Sequence, residues 1–226
     1  MGRHDTSPWP TKESAAFCLI DAGLSDYDVV YSTQLQLVEK RKKSQVSYDY
    51  LIFVEHPNVY TYGRKSKEKA EEVSGLKNTF FVERGGEVTY HSPGQLVCYP
   101  ILMLREGERD LHLYLRKLEA VIIDVLKEFN IEGERREGLT GVWIGGQRRK
   151  IASLGVAVSS WVTYHGCALN VQNDLSGFSR IRPCGLDSEV MTSMAVELGG
   201  SIPAMQEVKD AFLRHFSMHF ERFLMI

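Results

Sequence analysis

The sequence predicts an α+β fold in which helices pack on a mixed, mostly antiparallel sheet. Three observations carry that expectation. Short apolar runs rich in β-branched and aromatic residues recur between Gly- and Pro-containing breaks, as strands do. Two long segments instead repeat apolar residues at helical spacing. From residue 139 onward, strand signals follow one another across a Gly-Gly turn, which points to a β-rich second half and not to strict alternation of strand and helix.

Residues 1–16 are polar and carry Pro8 and Pro10, so they read as a flexible arm before a single domain over 17–226. Tyr31, Leu35 and Val38 predict a helix over about 28–43, with Lys40, Arg41, Lys42 and Lys43 placed favourably for the helix dipole. A buried strand at 50–54 stops at Glu55-His56-Pro57-Asn58 and resumes at 59–62. Residues 64–72 are charged without periodicity and read as a loop or short helix. The apolar runs 80–82 and 96–102 bracket residues 84–95, which read as a strand leaving the core, turning sharply and returning. Asp110 is a fitting N-cap for a helix that runs past Leu111, Leu118, Val125 and Phe129 and ends before Gly133. Strands follow at 140–144, 150–158 and 162–171. A short helix over 192–198 stops at Gly199-Gly200, and Phe212, Phe216, Phe220 and Phe223 give a last helix an aromatic stripe that reads as core packing.

Composition removes several function classes. Hydrophobic and charged contents of 43% and 25% are those of an ordinary globular chain, so disorder and fibres are not expected. A net charge of -2, with no cluster of Lys/Arg interleaved with aromatics, disfavours nucleic acid as a partner. No apolar run approaches the ~18 residues of a membrane span. Cys18, Cys98, Cys167 and Cys184 form no CxxC pair and follow no secretory signal, so reduced thiols in a cytoplasmic protein are expected, without disulfides or a metal site.

Four stretches carry chemistry-bearing residues. In 84–95, Arg84, Thr89 and His91 flank Gly85-Gly86, where main chain can approach a ligand and offer amide donors. Lys150 opens a strand that continues through Ser153-Leu154-Gly155. His165-Gly166-Cys167 carries a second His-Gly pair, and Pro183-Cys184-Gly185 places a cysteine in a tight turn. Taken singly, each has an ordinary structural reading: a satisfied hairpin, a solvated Lys, a small residue that fits a turn.

Together with Glu55-His56-Pro57, Tyr60-Thr61, Gly63-Arg64, Tyr90, Pro93-Gly94-Gln95, Ile151-Ala152 and Asn170-Val171, these stretches closely resemble the lipoyl(octanoyl) transferase family over roughly residues 17–200. The resemblance implies the fold shared by biotin and lipoate protein ligases, and transfer of an octanoyl or lipoyl group from acyl carrier protein to a lysine of lipoyl domains, in lipoate biosynthesis. Such acceptors are the lipoyl domains of 2-oxoacid dehydrogenases or the glycine cleavage H protein. Matched motif by motif, Cys184 corresponds to the acylated cysteine and Lys150 to the lysine that tunes it. Arg84, Gly85, Gly86, Glu87, Val88, Thr89, Tyr90 and His91, then Ser153, Leu154 and Gly155, then His165, Gly166 and Cys167, correspond to the segments lining the acyl site. Two positions depart from the pattern: Ser92, where the family commonly has Gly, and Cys167, where it has a larger apolar residue.

The residue types suit that chemistry. A thioester donor already carries the free energy to form an amide, so a cysteine thiolate that can attack and leave again suffices, with neither ATP nor a cofactor. At its ordinary pKa of ~8.5 a thiol is only about 3% ionised at pH 7, and a nearby ammonium raises that fraction. Arg148, Arg149, Arg180 and Arg182 bring fixed positive charge to the neighbourhood of Lys150 and Cys184, where it could steer an acidic carrier protein. Three rival readings stand beside this one: an ATP-dependent lipoate or biotin ligase, a noncatalytic acyl-carrier-binding paralogue, and a thioesterase.

Overall fold

The computed structural model describes residues 15–66, 77–181 and 190–225. Its spine is an eight-stranded sheet in the order β11 (Arg222–Leu224), β1 (Ala15–Leu24), β2 (Asp49–Glu55), β6 (Gln95–Ile101), β10 (Val162–Asn170), β9 (Lys150–Ser159), β8 (Leu139–Ile144) and β7 (Gly133–Arg136). The joins of β1 to β11 and to β2 are parallel, and every join from β2 to β7 is antiparallel. The expected mixed, mostly antiparallel sheet is therefore present.

Helices cover both faces of this sheet, which is why its central strands are continuous apolar runs. On one face lie α2 (Leu111–Glu128) and α4 (Met205–Phe220), whose Leu118, Val125, Phe212 and Phe216 close on Leu51, Phe53, Leu96 and Leu169. On the other lies α1 (Tyr27–Lys42), whose Val30, Leu37 and Val38 meet Ile52, Val97, Tyr99 and Ala168. Asp110 caps α2 as expected, its carboxylate accepting from the amides of His112 and Leu113. A short α3 (Met194–Leu198) is capped by Ser193.

A second, three-stranded sheet has the order β4 (Thr79–Phe81), β3 (Val59–Tyr62) and β5 (Val88–His91). It corrects the expected return of one strand around residues 84–95. β4 and β5 both pair with β3, while β6 leaves for the large sheet. The chain changes sheet twice, at Glu55-His56-Pro57-Asn58 and at Ser92-Pro93-Gly94, two breaks where Pro cannot continue a ladder. The Glu55 carboxylate accepts the Gly94 amide at 2.7 Å and locks these two links together.

Other expectations shift in detail. α1 buries Tyr27, Val30, Gln34, Leu37 and Val38; Val29 and Leu35 put apolar residues outside and Gln34 a polar one inside, so its apolar spacing misplaced the inner face. Phe223 lies in β11 and not on the stripe of α4, because Glu221 turns the chain out of the helix with a φ of 51°. Strand β1 had no counterpart in the expectations, its alternation being blurred at a sheet edge where most of its residues are only half-buried. Among the described residues no helix is long and apolar enough to cross a membrane.

Candidate active site

Where β5, β6, β9 and β10 meet the start of α1, they enclose a narrow cavity of about 40 Å³. The three segments expected to line an acyl site converge on it. Arg84, Gly86, Thr89 and His91 enter from the turn and β5, Ser153, Leu154 and Gly155 from β9, and His165, Gly166 and Cys167 from β10. Strand alternation explains two absences: with Thr89 and His91 facing in, Val88 and Tyr90 face away, into a separate cluster with Tyr60, Tyr62 and Phe178. Gly85 and Glu87 line a neighbouring cavity instead. Tyr27, Val97, Tyr99 and Ala168 complete the lining and were not singled out from sequence.

The Arg84 turn is fastened at both ends. Its guanidinium donates through Nη2 to Thr61 O (2.7 Å) and Oγ1 (2.9 Å), and through Nη1 to Gly85 O (3.1 Å). Gly85 N donates to Val156 O at 2.9 Å, so of the two glycine amides expected as donors one is held by β9. Gly155 permits this contact: a Cβ there would lie 2.9 Å from Gly85 O and 3.1 Å from Arg84 Cδ.

Two histidines, His91 and His165, line the cavity and His56 stands behind His91; hydrogen bonds assign the tautomers of His91 and His56. Thr192 O can only accept, so it orients the Asn170 amide, whose Nδ2 donates to it at 2.8 Å. Asn170 Oδ1 then accepts from Gln95 Nε2 (2.8 Å), which leaves Gln95 Oε1 to accept from His91 Nδ1 (2.7 Å). His91 Nε2 is thereby an acceptor. His56 donates through Nδ1 to Ser25 O (2.7 Å) and accepts from the Tyr99 hydroxyl at Nε2 (2.9 Å). His165 stacks on Tyr31, with ring centroids 5.4 Å apart, and its backbone is held at a φ of 55° with its amide on Gln34 Oε1.

Burial depresses all three imidazoles from 6.5: His56 to about 4, His91 to about 3, helped by neighbouring His56, and His165 to about 3, helped by Arg84. All are neutral at pH 7. Three buried polar atoms around the cavity have no hydrogen-bond partner among the described residues: His165 Nε2, Thr89 Oγ1 and Ser153 Oγ. Cys98 and Cys167 are register neighbours on β6 and β10, and burial, then Cys167, pushes the Cys98 thiol well above its ordinary pKa. Cys98 is an inert thiol here.

Lys150 opens β9 with 2% exposure. Its Nζ donates to Thr140 O at 2.9 Å and lies 5.5 Å from the centre of the Trp143 ring. Gly141, at a φ of 132°, makes room for it, since a Cβ there would lie 2.4 Å from Lys150 Cε. The backbone of Lys150 accepts the Thr192 amide at 3.0 Å and bridges Met191. Cys184 and Arg182 lie outside the described residues. Ile181 and Val190, on either side, both pack against the Tyr60–Tyr90 cluster. Of the four arginines considered for steering, Arg149 is paired with Glu197 at 2.9 Å.

Lys150 faces a wider cavity of about 450 Å³ that shares Gly86, Leu154 and Gly155 with the narrow one. The two cavities thus lie side by side across β9, and the wider one has a buried amine in its wall.

Comparison with known proteins identifies the family and the fold. Residues 26–217 match the family described as Lipoyl protein ligase A/B catalytic domain. The chain is 48% identical over 205 residues to an octanoyltransferase of Gloeobacter violaceus, covering 90% of this chain and 91% of that protein. To an octanoyltransferase of Flavobacterium psychrophilum it is 43% identical over 224 residues, covering 90% and 96%. Among solved structures, lipoate-protein ligase A bound with ATP superposes with a TM-score of 0.69 at 14% identity, over 94% of this chain and 87% of that one. Biotin protein ligase from Aquifex aeolicus gives 0.52 at 17%, over 92% and 69%. At such identities the ligases share the fold alone. The octanoyltransferases share the sequence over most of both chains, and this protein belongs to the lipoyl(octanoyl) transferase family, a family of acyltransferases.

Proposed function

We propose that the protein carries an octanoyl group from the thioester of an acyl carrier protein to a lysine of a lipoyl domain, by way of a thioester on Cys184. One observation supports this reading: three separate segments converge on one small cavity, which shares Gly86, Leu154 and Gly155 with a wider cavity lined by the buried Lys150. An octanoyl tail with about six buried methylenes gains roughly 5 kcal/mol at ~0.8 kcal/mol each, enough to hold the chain without a charged anchor.

In the first half-reaction the Cys184 thiolate attacks the donor carbonyl, a new C–S bond forms, and the carrier thiolate leaves. In the second, the acceptor amine attacks the acyl-Cys184 carbonyl, the amide forms, and the Cys184 thiolate leaves. The amine's proton goes to a neutral Lys150 or to water. A charged Lys150 would favour the thiolate in both steps.

Intact mass after incubation with octanoyl-carrier protein tests the reading. The enzyme should gain one octanoyl group, and Cys184→Ala should gain none; a label on Cys98 or Cys167 overturns the assignment. Lys150→Met should move the pH dependence of Cys184 alkylation upward, toward ~8.5. Lys150→Arg should keep much of the charge effect but slow transfer from preformed acyl-enzyme, because guanidinium holds its proton. An unchanged alkylation profile in Lys150→Met excludes the electrostatic role.

A further inference from the structure

We propose that the 450 Å³ cavity binds the arm on which the donor carries its acyl group, a linear, amide-bearing thiol ester ending in a phosphate, of the phosphopantetheine type. This rests on the thioester-donor reading above and adds to it where the rest of the donor lies. With the acyl chain in the narrow slot, its thioester reaches the junction at Gly86, Leu154 and Gly155, and the sulfur's other substituent enters the wider cavity. The volume falls within the range of about 300–1,000 Å³ usual for small-molecule sites.

The walls suit such an arm. β8 pairs with β9 only through Val142 and Trp143 opposite Ala152 and Lys150, so beyond Ala152 the outer edge of β9 has left β8. Among the described residues the outward backbone bond there is Gly85 N to Val156 O. By strand alternation Leu154 and Val158 also turn their N–H and C=O groups outward, along the cavity. An extended ligand with amide groups can pair with such an edge as an added strand does. Trp143, 2% exposed, lines the same cavity, and its Nε1–H has no partner among the described residues; it is a buried donor suited to an amide carbonyl. Exposed Arg64 and Lys65 stand among the lining residues as partners for a phosphate. Three cations against the single carboxylate of Glu87 favour an anionic arm over the ammonium of an acceptor lysine.

The experiment compares acyl-enzyme formation, in single turnover by intact mass, from octanoyl-carrier protein, octanoyl-phosphopantetheine, octanoyl-pantetheine and octanoyl-N-acetylcysteamine. Val158→Trp and, independently, Leu139→Trp narrow the cavity from half-buried and exposed positions. Each should slow the three long donors about tenfold or more while leaving the truncated N-acetylcysteamine ester near the wild-type rate. Arg64→Glu with Lys65→Glu should slow octanoyl-phosphopantetheine about tenfold relative to octanoyl-pantetheine, which lacks the phosphate. Equal loss with all four donors, or no loss with any, overturns the assignment while leaving acyl transfer standing. Loss confined to transfer from acyl-enzyme to a lysine peptide overturns it in favour of an acceptor channel. A wild-type enzyme that accepts none of the four thioesters overturns the thioester-donor reading itself.

Discussion

Two clusters of buried polar side chains differ in completeness. Around Arg222, all five guanidinium N–H groups are engaged, by Asp49, Glu108 and the carbonyls of Met103 and Phe220. Asp49 in turn accepts from Arg41 and from the Met103 amide. Around the narrow cavity, His165 Nε2, Thr89 Oγ1 and Ser153 Oγ lack partners among the described residues, and the histidines are uncharged. An unmet buried polar atom costs about 1–3 kcal/mol, so a cluster that tolerates three has been shaped for something other than stability. The first cluster holds the molecule together; the second leaves room for a ligand.

The sharpest way to break that contrast is to remove a charge from the complete cluster. Arg222→Met should destabilise the protein by about 3–5 kcal/mol, because Asp49, fully buried, keeps only Arg41 as a counter-charge. The urea midpoint measures it; a change below ~1 kcal/mol would mean that Arg222 holds nothing essential.

Acid should expose the second cluster next. A histidine whose folded pKa lies below its unfolded 6.5 stabilises the protein fully above 6.5, and that stabilisation is lost as pH falls toward the folded value of about 3 to 4. Each imidazole should cost about 1.4 kcal/mol per pH unit below 6.5. Urea midpoints from pH 7 to 5 should fall steeply, and His165→Gln should remove about one proton from the slope. Equal slopes in the two proteins would mean that His165 titrates normally.

The smallest effect is the most telling. Thr89→Val removes a buried hydroxyl that bonds to nothing described, so stability should rise by about 1 kcal/mol while acylation slows measurably. Wild-type acylation would leave the orphan hydroxyl without a role.

Only one side of this contrast was legible in sequence, and the parts that were not have physical reasons. The cavity segments were found because glycines, histidines and a lysine stand at distinctive places along the chain. Val88 and Tyr90 were included with them because a contiguous segment says nothing of which face each residue takes; pairing of β5 with β3 decides it. Tyr27, Val97 and Tyr99 escaped because aromatic and aliphatic residues in a helix or buried strand read equally as core. The charged cluster escaped altogether. Asp49 and Arg222 stand 173 residues apart in the chain, and the pairing of β1 with both β2 and β11 brings them within 2.8 Å.

That pairing also dictates an order of assembly. On a ribosome the chain emerges over many seconds at about 5–20 residues per second, and β1 leaves long before its neighbour β11. Until Arg222 arrives, one edge of the large sheet lacks a strand and Asp49 lacks its innermost counter-ion. One end of the sheet can therefore close only after β11 has been made, and until then β1 presents unpaired backbone groups on which a neighbouring chain could pair.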